Sequence, residues 1–108
     1  MMRVAACQPS YLDHDVEQAV LTIVRYAKKA ADEGAALVCF PECFLQGYIH
    51  EPEDYRKVAI ALSSDEFSRI LGRLVDLEPI LVFGLIERDE NELHNTAVAV
   101  RNGRLLGC

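Results

Sequence analysis

The sequence predicts an α/β fold built on one mixed sheet, with a βαβαβ start followed by antiparallel hairpin strands. Two short, continuous apolar runs, at 36–40 and 80–86, have the length of buried strands and are too short for helices. An amphipathic helical pattern at 16–30 precedes the first run. Asn102-Gly103, between two apolar stretches, is the strongest two-residue hairpin signal. Together these observations predict parallel strands first and hairpins afterwards.

The first third of the chain has the pattern of a βαβ unit. Val4–Cys7 is the predicted first strand. The helix that follows has either Asp13 or Asp15 as its N-cap and Gly34 as its C-cap. The second strand comes directly afterwards, at 36–40. Short joints of this kind imply parallel strands joined by a right-handed crossover.

The rest of the chain predicts two short helices and three strands. The first of these helices is expected at 55–62. Ser63 and Glu66 have capping-box spacing, so the next helix is expected to begin there. It should end before Pro79, because the residue before a proline avoids helical geometry. Three strands then follow, at 80–86, 96–101 and 104–108.

The predicted sheet has too many apolar side chains for one layer of helices. Successive side chains on a strand alternate between the two faces of a sheet. We therefore expect that not all of the apolar strand residues face the helices, the residues concerned being Val38, Phe40, Leu81, Phe83 and Leu85. The missing remainder of a domain, a second sheet or a partner chain would cover the other face.

Composition and charge exclude several classes of protein. The chain has 108 residues, 51% hydrophobic and 26% charged, which is typical of one small globular domain. A net charge of −6 without any basic cluster argues against a nucleic-acid partner. No apolar run is long enough to span a bilayer, so no membrane partner is expected.

The cysteines and the N-terminus predict a cytoplasmic protein. Cys7, Cys39 and Cys43 lie on or beside predicted buried strands, where free cysteine behaves as a small apolar residue, and Cys108 is the fourth. This usage suits a reducing cytosol better than a disulfide scaffold. The chain enters its first strand directly, so no signal peptide is expected. Cys39 and Cys43 lack a second pair at zinc-ligand spacing, and neither a metal nor a cofactor is predicted.

Glu42 is the candidate functional residue. It follows the second strand at its carboxyl end, the edge where open parallel sheets bind ligands. Its apolar neighbours Phe40, Cys43 and Phe44 predict partial desolvation, which would raise the carboxyl pKa and suit proton transfer at neutral pH. The alternative is an ordinary solvated or ion-paired glutamate, and position alone leaves both open.

The chain resembles the nitrilase, or carbon-nitrogen hydrolase, superfamily along its whole length. The resemblance depends on several segments that occur together in one order and spacing. They are Val4-Ala5-Ala6-Cys7-Gln8-Pro9, Glu33-Gly34-Ala35, Leu37-Val38-Cys39-Phe40-Pro41-Glu42 with Gly47-Tyr48, Gly84-Leu85-Ile86-Glu87, His94-Asn95-Thr96-Ala97-Val98 and Asn102-Gly103-Arg104-Leu105-Leu106-Gly107. The resemblance implies an α-β-β-α sandwich, two sheets packed face to face with helices outside. Residues 1–108 would be the N-terminal, incomplete part of that domain.

The resemblance also implies hydrolysis of a non-peptide carbon-nitrogen bond in a small amide, nitrile or carbamoyl substrate. The family uses a glutamate as general base, a lysine that stabilises charge and a cysteine nucleophile. Glu42 matches the glutamate, whereas the lysine and the cysteine have no match before the chain ends at Cys108. Cys43 is not expected to be the nucleophile, because neighbours on an extended backbone point to opposite faces.

Two other functions remain open. The first is a truncated, non-catalytic remnant or assembly module of the same fold, favoured by the unmatched lysine and cysteine. The second is a small doubly wound regulatory or nucleotide-binding domain, but Gln8-Pro9-Ser10 stands where a glycine-rich phosphate loop belongs. The family resemblance further implies a homo-oligomer.

Four more residues are candidates around the site. Tyr48 and Asn95 are predicted to support Glu42, and His50, in the loop after it, to line a pocket. Glu87, at the end of the third strand, is expected in a structural ion pair.

Overall fold

A computed structural model describes residues 1–11, 14–49 and 51–108 of the protein. These residues form five strands and three helices. The strands are β1 (Val4–Ala6), β2 (Leu37–Cys39), β3 (Ile80–Asp89), β4 (Glu92–Arg101) and β5 (Arg104–Gly107), and the helices are α1 (Val16–Asp32), α2 (Pro52–Val58) and α3 (Asp65–Gly72). The sheet has the order β1-β2-β3-β4-β5; the first three strands are parallel and the last three antiparallel. The predicted mixed α/β sheet is confirmed.

Helix α1 begins after a predicted N-cap, but its C-cap is Glu33 and not the predicted Gly34, which is the next residue. Asp15 is its N-cap, and the side chain accepts a hydrogen bond of 3.0 Å from the Gln18 backbone N–H. Asp13, the other candidate cap, lies outside the described residues. Gly34 has φ of 85°, a left-handed conformation that glycine adopts without strain, and it directs the chain into β2.

The two short helices are displaced from their predicted positions. Helix α2 ends at Val58, four residues before the predicted end at 62. Ser64, not Ser63, caps α3, since its Oγ accepts a hydrogen bond from the Phe67 backbone N–H at 3.1 Å. The predicted capping box is therefore wrong by one residue. Helix α3 ends at Gly72, well before Pro79.

One hydrophobic core lies between the sheet and the helices α1 and α3. Because Val38 pairs with Leu81, and alternate residues of a strand share a face, the apolar residues of β2 and β3 converge on this core. Val38, Phe40, Leu81, Phe83 and Leu85 all belong to it. The prediction that these five could not all face the helices is wrong.

The opposite face of the sheet carries a different apolar set. By alternation, Leu37, Cys39, Ile80 and Val82 point away from the core, and they are half-buried, while Ala97 on β4 is exposed. A second, smaller cluster covers this face only where Ile86 lies against the residues after β2 and around α2. The described residues leave the remainder uncovered, so a covering layer stays a prediction.

The hairpins bring the candidate residues to the carboxyl end of β2. Strand β3 continues to Asp89, three residues past its predicted end, and β4 begins at Glu92, four residues early. This longer ladder pairs Asn95 with Ile86. The second hairpin turns at Asn102-Gly103, with φ of 49° and 73°, the positive values of the turn that the sequence predicted. No helix of the described residues is both long and apolar enough to cross a membrane.

Candidate active site

Glu42 lies on a loop that leaves β2 and returns to the edge of β3. The Phe40 N–H still donates to the Val82 carbonyl at 2.8 Å, and the Leu45 N–H donates to the Gly84 carbonyl at 3.2 Å. Between these two bonds the backbone bulges, and Cys43 takes the left-handed region with φ of 54°. The bulge presents Glu42 on the sheet face opposite α1 and α3.

Gly84 makes this path possible because it has no side chain. A Cβ atom built on Gly84 would lie 2.4 Å from the Cys43 backbone N and 2.6 Å from the Glu42 Cα. Both distances are shorter than any Cβ contact in real structures, and backbone atoms cannot rotate away as a side chain can. A glycine inside a strand often marks such a close backbone approach.

Three side chains hold Glu42. The Tyr48 hydroxyl donates a hydrogen bond to Oε1 of the carboxylate, and the Asn95 Nδ2 donates to Oε2 at 3.1 Å. The Tyr11 hydroxyl donates to the backbone carbonyl of Glu42 at 3.0 Å. The rings of Tyr11 and Tyr48 meet edge to face, with centroids 5.0 Å apart. Both carboxylate oxygens and the carbonyl of Glu42 are therefore fixed by separate parts of the chain.

The two carboxylate hydrogen bonds lower the pKa of Glu42 below its ordinary value, the one from Tyr48 contributing most and the one from Asn95 next. The expectation of a pKa raised by desolvation is wrong, because the side chain is exposed and its donors outweigh the small effect of burial. The same hydrogen bond raises the pKa of the Tyr48 phenol to about 12, and the carboxylate charge adds to this. At neutral pH the pair is a carboxylate and a neutral phenol.

A concavity of about 300 Å³ opens beside the carboxylate. Its lining residues are Glu42, Cys43, Tyr48, Tyr55, Ile86, Leu93, His94 and Asn95. Cys43 thus shares the concavity with Glu42, since its backbone is left-handed where the sequence prediction assumed an extended one. Burial, followed by the charge of Glu42, raises the pKa of the Cys43 thiol, which is the reverse of what an activated nucleophile needs.

Of the predicted site residues, the structure brings Glu42, Tyr48 and Asn95 together, and His50 lies outside the described residues. Within residues 1–11, 14–49 and 51–108, Glu87 does not form the predicted ion pair, and its Oε1 accepts a hydrogen bond of 2.7 Å from the Thr96 hydroxyl. Within the described ranges, no cluster of three or more histidine, cysteine, aspartate or glutamate residues is placed to hold a metal ion.

Sequence reasoning missed Tyr11, Gln46 and Gly84. Two of them carried a signal. Gln46 directly follows the apolar pair Phe44-Leu45, a context that favours burial. A buried amide side chain needs hydrogen-bond partners. Gly84 interrupts a strand that is otherwise apolar, which suggests close packing of another backbone. Nothing in the local sequence singles out Tyr11.

Comparison with known proteins identifies a family that this sequence matches. Residues 3–107 match the model of the family described as carbon-nitrogen hydrolase. The glutamine-dependent NAD(+) synthetase of Mycobacterium tuberculosis is 32% identical over 106 residues, which are 98% of this chain and 16% of the synthetase. The aliphatic nitrilase of Sinorhizobium fredii is 32% identical over 113 residues, covering 89% of this chain and 37% of the nitrilase.

Solved structures give the same result. An amidase from Nesterenkonia sp. superposes with a TM-score of 0.80 at 27% identity, over 98% of this chain and 41% of the amidase. One structure of a mutant of that amidase holds butyramide, and another shows acrylamide added at the active-site cysteine. The chain therefore spans less than half the length of the relatives that it matches.

Proposed function

Because the chain belongs to the carbon-nitrogen hydrolase family, we propose that Glu42 is the general base of a hydrolase acting on a small amide, nitrile or carbamoyl compound. The observation that carries the proposal is the Glu42 carboxylate, held by Tyr48 and Asn95 at the rim of a concavity of about 300 Å³. A volume of this size suits a small molecule rather than a polymer.

The hydrogen bonds to Glu42 support the role of a base through position and not through basicity. A pKa below the ordinary value keeps the carboxylate ionised at neutral pH but makes it a weaker base, so the role depends on how the carboxylate is held. Tyr48 and Asn95 each occupy one oxygen, which fixes the plane of the carboxylate and limits the directions from which a proton can arrive. Positioning of this kind contributes to catalysis because the geometry is set before the reaction begins.

The proposed reaction has two steps. In the first, Glu42 takes the proton of a cysteine thiol, the sulfur attacks the amide carbon, and the proton passes to the departing nitrogen, which leaves as ammonia or an amine. In the second, Glu42 takes a proton from water, the hydroxide cleaves the thioester, and the acid and the free thiol are formed. A lysine stabilises the developing negative charge.

In this proposal none of the lysines and cysteines of these 108 residues is the charge-stabilising lysine or the nucleophile, because none matches the pattern of the family that the sequence resembles. For Cys43, the raised pKa of its thiol supports this. We propose that both groups come from polypeptide outside this sequence, as part of the second half of an α-β-β-α sandwich. That second half, or a partner chain in a homo-oligomer, would also cover the open apolar face around Leu37 and Val82.

The test measures ammonia release from butyramide and from a small aliphatic nitrile. The nucleotide sequence after the Cys108 codon is read first, and the complete product is then assayed beside the 108-residue protein. We expect activity only where a further lysine and cysteine are present. Glu42→Gln should lower kcat by about 10²–10⁴-fold. Glu87→Gln is the matched control, because Glu87 is a glutamate of β3 whose carboxylate, in the part of the chain that the structure describes, bonds Thr96 and not the residues around Glu42.

Two results would contradict the proposal. The first is a Glu42→Gln variant that keeps full ammonia release. The second is a complete product that contains neither group and releases no ammonia, which would favour a non-catalytic module of the same fold.

A further inference from the structure

Gln46 has a fully buried amide side chain, four residues after Glu42 and two before Tyr48. Its Nε2 donates to the Val58 carbonyl at 3.2 Å and to the Ile86 carbonyl at 3.0 Å. Its Oε1 accepts from the Ile86 N–H at 3.0 Å. Both N–H groups of the amide are used, so removing the side chain would take the acceptor from the Ile86 N–H and a donor from the Val58 carbonyl, whereas the Ile86 carbonyl would keep its bond of 3.0 Å from the Ile60 N–H.

Beyond β2, the Gln46 amide and the Ile60 backbone together pair the edge of β3 where a strand would otherwise lie. Strand β2 pairs with β3 only as far as Val82. Beyond that point the Leu45 N–H bonds the Gly84 carbonyl, and the Gln46 side chain then bonds both backbone groups of Ile86. The Glu42 loop is thus paired with β3 almost as a strand would be, although its backbone has left the ladder.

The position of Ile86 connects this anchor to the carboxylate. Ile86 on β3 is the register partner of Asn95 on β4. Asn95 donates to one oxygen of Glu42, and Tyr48, on the same loop as Gln46, donates to the other. Fixing Gln46 to Ile86 therefore sets how far the loop lies from Asn95, and a slip of the loop along β3 would separate the carboxylate from that donor.

We propose that Gln46 is a positioning residue, whose buried amide keeps the loop in register with β3 and so holds the Glu42 carboxylate between Tyr48 and Asn95. The catalytic importance of this role rests on the proposed function of Glu42. The geometric role does not, so its test uses a readout that is independent of activity.

The test compares the wild-type protein, in the complete form that its gene encodes, with Gln46→Met, which has nearly the same side-chain volume and loses all three hydrogen bonds. The first measurement is the Glu42 carboxyl pKa, by NMR titration of the side-chain carboxyl carbon. We expect this pKa to rise toward its ordinary value, because the donors Tyr48 and Asn95 no longer meet the carboxylate. The second is amide exchange at Ile86, which should accelerate by roughly tenfold as its acceptor is lost.

The control variant is Thr22→Val. Thr22 is also buried, and its hydroxyl donates a hydrogen bond of 2.8 Å to the Gln18 carbonyl within α1, in the helix layer. This variant loses a buried hydrogen bond without touching the loop, so the Glu42 pKa should stay at the wild-type value. A rise of the Glu42 pKa in both variants would mean a general loss of stability and would overturn the positioning role.

An unchanged Glu42 pKa in a folded Gln46→Met protein would also overturn it. If Gln46→Met does not fold, the wild-type protein decides: an Ile86 amide that exchanges as fast as an unprotected loop amide contradicts the proposal, and a protected one supports it. Ammonia release by Glu42→Gln tests the proposed function separately. Full activity of the Glu42→Gln variant would show that Gln46 has no part in catalysis. The titration would still test whether Gln46 positions the Glu42 carboxylate.

Discussion

Gly84→Ala is the substitution that most directly tests the geometry of the candidate site. The new methyl group would lie 2.4 Å from the Cys43 backbone N and 2.6 Å from the Glu42 Cα. Ordinary van der Waals contact begins at 3.4 Å, so the two backbones must separate by about 1 Å. Neither partner is a flexible side chain, and the shift must be taken up by the loop that carries Glu42.

The expected cost is about 1–3 kcal/mol, the usual range for an extra methylene in a well-packed region. For a domain of this length each kcal/mol lowers the melting temperature by about 4 °C, so we expect a loss of roughly 4–12 °C. Displacing Glu42 by about 1 Å would also weaken its hydrogen bonds from Tyr48 and Asn95. The carboxyl pKa should then rise toward its ordinary value.

Thermal unfolding followed by circular dichroism gives the first quantity, and NMR titration of Glu42 gives the second. Gly72→Ala is the matched control, because the methyl group it would add at the end of α3 has no heavy atom within 4 Å apart from its chain neighbours and the backbone of its own helix. It should stabilise the protein by about 0.4–1 kcal/mol. If Gly84→Ala melted at the wild-type temperature with an unchanged Glu42 pKa, the close approach of the two backbones would be refuted.

Three further predictions concern single hydrogen bonds. Tyr48→Phe should raise the pKa of Glu42, since it removes the donor that lowers that pKa most, and carboxyl NMR titration measures this. Glu42→Gln should lower the pKa of Tyr48 from about 12 toward its ordinary value, measured on the phenolic carbon. Ser64→Ala removes the N-cap of α3, which accepts a hydrogen bond from the Phe67 N–H, and should lower the free energy of unfolding by about 1 kcal/mol, measured by thermal unfolding. Ser63→Ala should leave that free energy almost unchanged.

The pKa shifts of Glu42 and Tyr48 fix the sign of the pH dependence of stability. A carboxyl whose folded pKa is lowered stabilises the protein above its unfolded pKa, and this contribution is lost as pH falls through the folded pKa. A phenol whose folded pKa is raised to about 12 stabilises it below the unfolded pKa near 10, and this is lost as pH rises through about 12. Tyr48→Phe should therefore reduce both dependences; unchanged acid and alkaline profiles would contradict the assignment. Equal melting temperatures for Ser63→Ala and Ser64→Ala would contradict the assignment of Ser64 as the N-cap of α3.

Local pattern in the sequence was enough for most of the elements and for the position of Glu42. An apolar run has the length of a strand or of a helix regardless of what surrounds it, and Asn102-Gly103 prefers its turn on its own. The errors lie where two local solutions have similar energies. Ser63 and Ser64 are both acceptable caps, and only the packing of Phe67 and Ile70 into the core selects Ser64.

The tertiary structure alone decided the chemistry of the carboxylate. From its neighbours in sequence, Glu42 should have had a raised pKa, but the pKa is lowered by donors that include Asn95, 53 residues away. The approach of the Glu42 loop to Gly84 and the bonds from Gln46 to Ile86 likewise join residues about 40 positions apart. The pKa of a side chain depends on which charges, donors and solvent lie within a few ångströms of it, and the fold brings those groups together from distant parts of the chain.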